Sequence, residues 1–172
     1  NSDSYLDIVV ANEGTGNIAA LVGKGDGTFM SSHYSTGEGS HPRCIVVGDF
    51  DNDSRFDVAI ADSDTDNIGI LFGDGNGTFG NVVIHSTGRN GKPQSIGVGD
   101  FNGDKKSDIV VFNAGLNDII IFQQSSNRAL SVVTRHPIGH DADAGSLVTS
   151  DFDGDNRSDI VVTSAEMNKI IL

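Results

Sequence analysis

The sequence predicts an all-β chain built from repeated four-stranded antiparallel units. Three observations carry this. Gly48-Asp49-Phe50-Asp51-Asn52-Asp53 recurs as Gly99-Asp100-Phe101-Asn102-Gly103-Asp104 and again as Ser150-Asp151-Phe152-Asp153-Gly154-Asp155, 51 residues apart each time. Between these acidic segments lie short Val- and Ile-rich runs of strand length without helical periodicity. The runs are separated by turn-rich segments, in a chain with 22 glycines among its 172 residues. A repeat of about fifty residues that reads as four short strands is the signature of a β-propeller blade. A solenoid of stacked sheets is the alternative architecture.

Each element follows from the same register. In the second repeat the strands are expected at 43–50, 57–61, 67–73 and 81–86. The acidic turn, then Asp62-Ser63-Asp64-Thr65-Asp66, then Gly73-Asp74-Gly75-Asn76-Gly77-Thr78 separate them. Asp57, Asp108 and Asp159 lead into Val58-Ala59-Ile60, Ile109-Val110-Val111 and Ile160-Val161-Val162, and an earlier copy is Asp7-Ile8-Val9-Val10. Ile18, Ile68, Ile119 and Ile170 open the next apolar run in all four copies. The whole chain, 1–172, thus reads as one propeller region: a partial blade at 1–35, blades at 43–86 and 94–136, and a partial blade at 146–172. The reading starts inside an acidic turn and stops in a third strand, giving three, four, four and three strands, about 3.5 blades. A larger ring, or neighbouring chains that complete the broken blades, would accommodate such ends, and exposed strand edges invite head-to-tail self-association into rings or fibrils.

Composition narrows the function. Eleven Lys and Arg against 24 acidic residues give a formal charge of −13, which leaves no basic surface to follow phosphates and excludes nucleic acid as a partner. No apolar stretch reaches the ~20 residues a membrane-spanning helix needs, so no membrane insertion is expected. No signal peptide is expected in the first residues. The single cysteine, Cys44, excludes an internal disulfide and is expected as a buried, inert thiol.

The acidic turns carry the chemistry. Aspartates stand at positions one, three, five and nine: Asp49, Asp51, Asp53 and Asp57 in the second copy, and Asp151, Asp153, Asp155 and Asp159 in the fourth. The third has Asp100, Asn102, Asp104 and Asp108, and the truncated first copy retains Asn1, Asp3 and Asp7. Odd spacing in a tight turn aims successive oxygens at one point, and the backbone carbonyl of position seven (Arg55, Lys106, Arg157) is a further donor. Six to eight hard oxygen donors suit Ca²⁺, whereas zinc or copper would want His or Cys. Eleven of the 24 acidic residues lie in the three intact turns, and three bound ions would take the formal charge from −13 to −7. A solvated turn and a catalytic carboxylate pair are the competing readings. Repetition in register disfavours both, and flanking strands with Asp at position nine exclude an EF-hand.

These turns, with Val47-Gly48-Asp49-Phe50, Val98-Gly99-Asp100-Phe101 and Gly75-Asn76-Gly77-Thr78-Phe79, resemble the FG-GAP/VCBS repeat family, whose pattern is Asp-x-Asp-x-Asp-Gly-x-x-Asp between two strands. The resemblance spans essentially the whole chain. It implies a β-propeller like the head of integrin α subunits, a calcium turn joining the first two strands of each blade, and a binding surface on the opposite rim. Here that rim would hold 12–17, 36–42, 62–66, 87–93, 113–117, 139–145 and 164–168. One departure is consistent: Ser54, Lys105 and Asn156 replace the glycine of position six, where positive φ is expected. In the third repeat, Ser125-Ser126-Asn127-Arg128 replaces the glycine-rich turn.

Other residues receive plainer readings. Phe29, Phe79, Phe50, Phe101 and Phe152 recur in register and are expected to lie between blades. A Ser-His-Asp triad can be composed on paper from His41 or His140, but no serine sits in a nucleophile elbow, so the chain is read as not an enzyme. The segment Gly139-His140-Asp141-Ala142-Asp143 reads as a solvated loop. Asn52, Asn76 and Asn156 head N-glycosylation triplets, Asn76 at a hairpin tip being the foremost. The expected function is a calcium-binding, extracellular structural or adhesion module, secreted or at the cell surface, whose partner is an extracellular protein or a glycan. The alternatives are a self-assembling protein, a carbohydrate-binding propeller lectin and an accessory domain of a larger hydrolase.

Overall fold

The computed structural model describes residues 1, 3–126, 128–139, 144–164 and 169–171. It is an all-β structure of four antiparallel sheets. The first contains β1 (Ile8–Asn12), β2 (Asn17–Gly23) and β3 (Phe29–Ser35). The second contains β4 (Pro42–Gly48), β5 (Asp57–Asp62), β6 (Asn67–Leu71) and β7 (Val83–Ser86). The third repeats it with β8 (Pro93–Gly99), β9 (Asp108–Asn113), β10 (Asp118–Ser126) and β11 (Ala129–Pro137). The last holds β12 (Ala144–Ser150), β13 (Asp159–Ser164) and β14 (Lys169–Ile171). Among the described residues the only helical element is a 3-10 turn at Glu13–Thr15, and no helix is long and apolar enough to cross a membrane.

The sheets are layered face to face, which is visible in the alternation along their second strands. Every residue of β5 and of β9 is buried. Val58 and Ile60 join Ile18 and Leu71 on the side of the first sheet, whereas Ala59 and Ala61 turn the other way to meet Ile109, Val111 and Phe122. Val110 and Phe112 in turn face Leu147 and Val162 of the last sheet. A strand covered on both faces reads as an unbroken apolar run, because its period of two then sorts residues between two cores rather than between core and water. The first strands of successive sheets also touch: β4 lies against β8, and β8 against β12. There Thr149 Oγ1 donates to the Val98 carbonyl at 2.6 Å, and the Leu147 amide donates to Ser95 Oγ at 3.2 Å.

Two expectations about apolar side chains need correction. Phe50 is fully buried, Phe101 is partly buried against the core, and Phe79 meets the Tyr34 ring edge-on with centroids 5.4 Å apart. Phe29 and Phe152 are instead exposed, at 43% and 53%. Phe152 belongs to the last sheet in the order, and among the described residues no further sheet lies beyond to cover it. Cys44 is only partly covered, at the margin of the core beside Val46. Between β1 and β4 the surface opens into a groove of about 930 Å³ lined by Leu6, Ile8, Val47 and Phe56, a feature the sequence reading did not anticipate.

Candidate metal centre

The acidic turns occupy equivalent places: before β1, and between β4 and β5, β8 and β9, β12 and β13. Position one acts as the hub. In the second turn Asp49 Oδ1 accepts the Asp53 amide at 3.1 Å and its Oδ2 the Ser54 amide at 2.8 Å. Asp100 does the same for Gly103, Asp104 and Lys105, at 2.7, 3.1 and 2.7 Å, and Asp151 for Gly154 and Asn156 at 2.6 and 2.9 Å. Wrapping the chain this tightly around one carboxylate forces positive φ at position six, 66° at Ser54, 65° at Lys105 and 65° at Asn156, and Ser4 of the first turn has the same conformation at 72°. Position four is left-handed too, at Asn52, Gly103 and Gly154.

Position nine ties the turn to the sheet. One oxygen of Asp57 accepts the Phe50 amide at 2.7 Å and the other accepts the Gly73 amide at 2.8 Å, closing the turn onto the end of β6. Asp7 takes the matching amide of Gly23 at 2.9 Å, and Asp159 that of Phe152 at 2.8 Å. Asp108 accepts from Phe101 at 3.2 Å, but its Oδ1 is buried without any partner. The glycine that would supply the second amide is replaced by Gln124, whose Oε1 is likewise buried and unpartnered.

Oxygens from Asp49, Asp51 and Asp57 converge within 4.8 Å of one another, as do those from Asp151, Asp153 and Asp159. Asp51 Oδ1 is buried with no hydrogen-bond partner. Two orphaned carboxylate oxygens in equivalent turns match what a hard divalent cation requires. Burial, reinforced by the neighbouring charges of Asp51 and Asp53, pushes the Asp57 carboxyl up to about 6 despite its two amide donors. Burial also raises Asp108. Asp100 is pulled up by burial, but the amides of Lys105, Gly103, Asp104 and Asn102 together hold it below the ordinary carboxylate range.

Position five points elsewhere. Asp53 Oδ1 accepts the Arg55 amide at 2.9 Å, and its Oδ2 takes the Arg55 guanidinium, Nε at 2.8 Å, which holds this carboxyl low. Asp3, Asp104 and Asp155 accept the amides of Tyr5, Lys106 and Arg157 in the same way, at 2.9, 3.0 and 2.8 Å. At position three, Asn1, Asn102 and Asp153 each cap the amide two residues on, at 3.2, 2.8 and 3.0 Å. Asp51 does something else: it accepts from Arg128 of the next repeat, a contact missed in the sequence although the lost glycine turn marked the spot.

An FG-GAP-like repeat model matches residues 1–60, 49–111 and 100–162, with each match ending inside the strand that follows an acidic turn. The chain belongs to the FG-GAP-like repeat family. No curated protein matches the chain. Among solved structures, a candidate 6-phosphogluconolactonase from Bacteroides uniformis is similar, with a TM-score of 0.60 and 14% identity over 96% of this chain. The FG-GAP-like chain spans about half, 52%, of that protein. At that identity the likeness carries the fold alone. It nevertheless corrects the reading of the chain as not an enzyme, because a chain of the same fold bears an enzyme's name, and chemistry resides in sites added to a fold rather than in the fold itself.

At the opposite end of the FG-GAP-like sheets, loops interlock through backbone. The Thr36 amide donates to the Gly16 carbonyl at 3.2 Å, and the Thr87 amide to that of Asp66 at 3.0 Å. Asp66 also accepts the amides of Asn90 and Lys92, at 2.7 and 3.0 Å, while His41 Nδ1 lies 2.9 Å from Asp64. Residues 140–143 and 165–168 of that rim, with His140, lie outside the described residues. Asn52, Asn76 and Asn156 are all exposed.

Proposed function

We propose that this chain is a calcium-stabilised module of β-propeller type in an extracellular or surface protein. The observation that carries the reading is the convergence of carboxylate oxygens in in-register turns, with Asp51 Oδ1 and Asp108 Oδ1 buried and unpartnered. Asp49, Asp51 and Asp57, with their counterparts at 100, 102 and 108 and at 151, 153 and 159, would hold the ion, and the carbonyls of Arg55, Lys106 and Arg157 are its expected backbone donors. Bound calcium would neutralise the turn and tie the first strand of each sheet to the second. Face-to-face layering with first strands side by side supports the propeller arrangement. Weak turn sites fill where calcium is millimolar, which is the basis for an extracellular location.

The rim away from the metal turns is the surface offered to a protein or glycan partner. Thermal unfolding in millimolar calcium and in EDTA tests the calcium reading. An ion that binds only the folded chain, at about tenfold over its dissociation constant, adds ~1.4 kcal/mol per site, or about 3–6 °C for a chain of this size. A midpoint that chelation leaves in place would defeat the reading.

A further inference from the structure

The second acidic turn already holds a cation, and it comes from another repeat. Arg128 sits where the third repeat has lost the glycine-rich turn of its predecessors, at the hairpin between β10 and β11. Its Nε donates to Asp51 Oδ2 at 2.8 Å, and its Nη2 lies 3.9 Å from Asp53 Oδ2. The guanidinium stacks over the Phe72 ring, 4.8 Å from the centroid. Carboxylates on one side and an aromatic face on the other form a seat suited to arginine. The Asp51 side chain is only 6% exposed, so this pair is shielded on the acid's side. Among the described residues no cation from another repeat reaches Asp153, the counterpart in the fourth turn.

We propose that Arg128 is a resident counter-cation of the second turn, which competes with the divalent ion and couples occupancy of that turn to docking of the β10–β11 hairpin. The inference rests on the calcium reading above. Arginine stays protonated, so it cannot yield by losing its charge; it has to move. A divalent ion drawn to Asp49, Asp51 and Asp57 would stand beside this fixed positive charge, and the two exclude each other at such distances. The second site is therefore weaker than its three carboxylates alone would make it.

Calcium titration calorimetry on the whole chain, as wild type, Arg128→Gln and Arg128→Lys, tests this. In Arg128→Gln one site should tighten by about fivefold, the scale of a half-exposed ion pair, while the others keep their affinity. Arg128→Lys keeps the charge and should keep most of the competition. In EDTA, Arg128→Gln should unfold at a lower temperature than wild type, and in saturating calcium that deficit should vanish. Calcium affinities that are identical in wild type and Arg128→Gln overturn this proposal alone. Equal tightening in both variants also overturns it, because competition would then not be by charge. A chain that binds no calcium in any form overturns the calcium reading and this proposal with it.

Discussion

Ser54, Lys105 and Asn156 share one backbone conformation but not one suitability for it. A left-handed φ costs an ordinary L-residue about 1–2 kcal/mol, asparagine less and glycine nothing, although glycine also loosens the unfolded chain. Ser54→Gly and Lys105→Gly should therefore each raise the unfolding free energy by about 0.5–1 kcal/mol in urea titration, and Asn156→Gly should leave it nearly unchanged. This was legible in sequence, because the family pattern puts glycine at that position. What was not legible is the split of the carboxylates. Positions one, three and nine gather, whereas Asp53 is drawn off by Arg55, and only side-chain geometry separates the two behaviours. Asp57 adds a pH dependence. Its folded carboxyl is raised to about 6 from an ordinary 3.8, so in the metal-free chain its stabilising contribution is complete below about 3.8 and lost as pH rises through 6. Calcium requires the ionised form and reverses the sign: affinity at the second turn should fall by about fivefold between pH 6 and pH 5, read by calorimetry.

Among the elements, strand identity was readable from period and β-branched content, but strand ends were not. The third strand of the second repeat was expected to run to residue 73, and β6 stops at Leu71. Beyond it, the Gly73 amide turns out of the ladder to serve Asp57. Gly73 is also held against the Phe56 carbonyl, where any Cβ would overlap the oxygen, and Gly23 stands in the same relation to Leu6. Gly73→Ala should accordingly destabilise by about 1–3 kcal/mol in chemical denaturation, as overfilled sites do. The third repeat shows the natural counterpart. With Gln124 in that place, β10 runs on to Ser126 through two register shifts, and the Asp108 oxygen loses its amide. Sequence flagged the divergent turn; that the extended hairpin would deliver Arg128 to another repeat required the arrangement of neighbouring sheets.

At the scale of the molecule, two contacts link turns that stand in different repeats. Arg128 bridges the third repeat to the second turn. Between the third and fourth turns, the Asp100 amide donates to Ser158 Oγ at 3.1 Å and the Ser158 amide to the Asp100 carbonyl at 2.8 Å. Ser158→Ala should cost about 1 kcal/mol and weaken calcium at both turns, and the double variant Asp108→Ala/Asp159→Ala should depart from the sum of its singles in a calcium-dependent unfolding series. Period and composition could announce the copies but not their cross-links, because a bond between repeats leaves no trace in the spacing within one. The antiparallel path has one more consequence. Since successive connections alternate between the two ends of each sheet, the acidic turns and the exposed loop tips of the far rim are kept apart. Mutation can rewrite the far rim, lengthening a loop or exchanging its polarity, without disturbing the acidic turns. Such a scaffold can change that surface while staying folded.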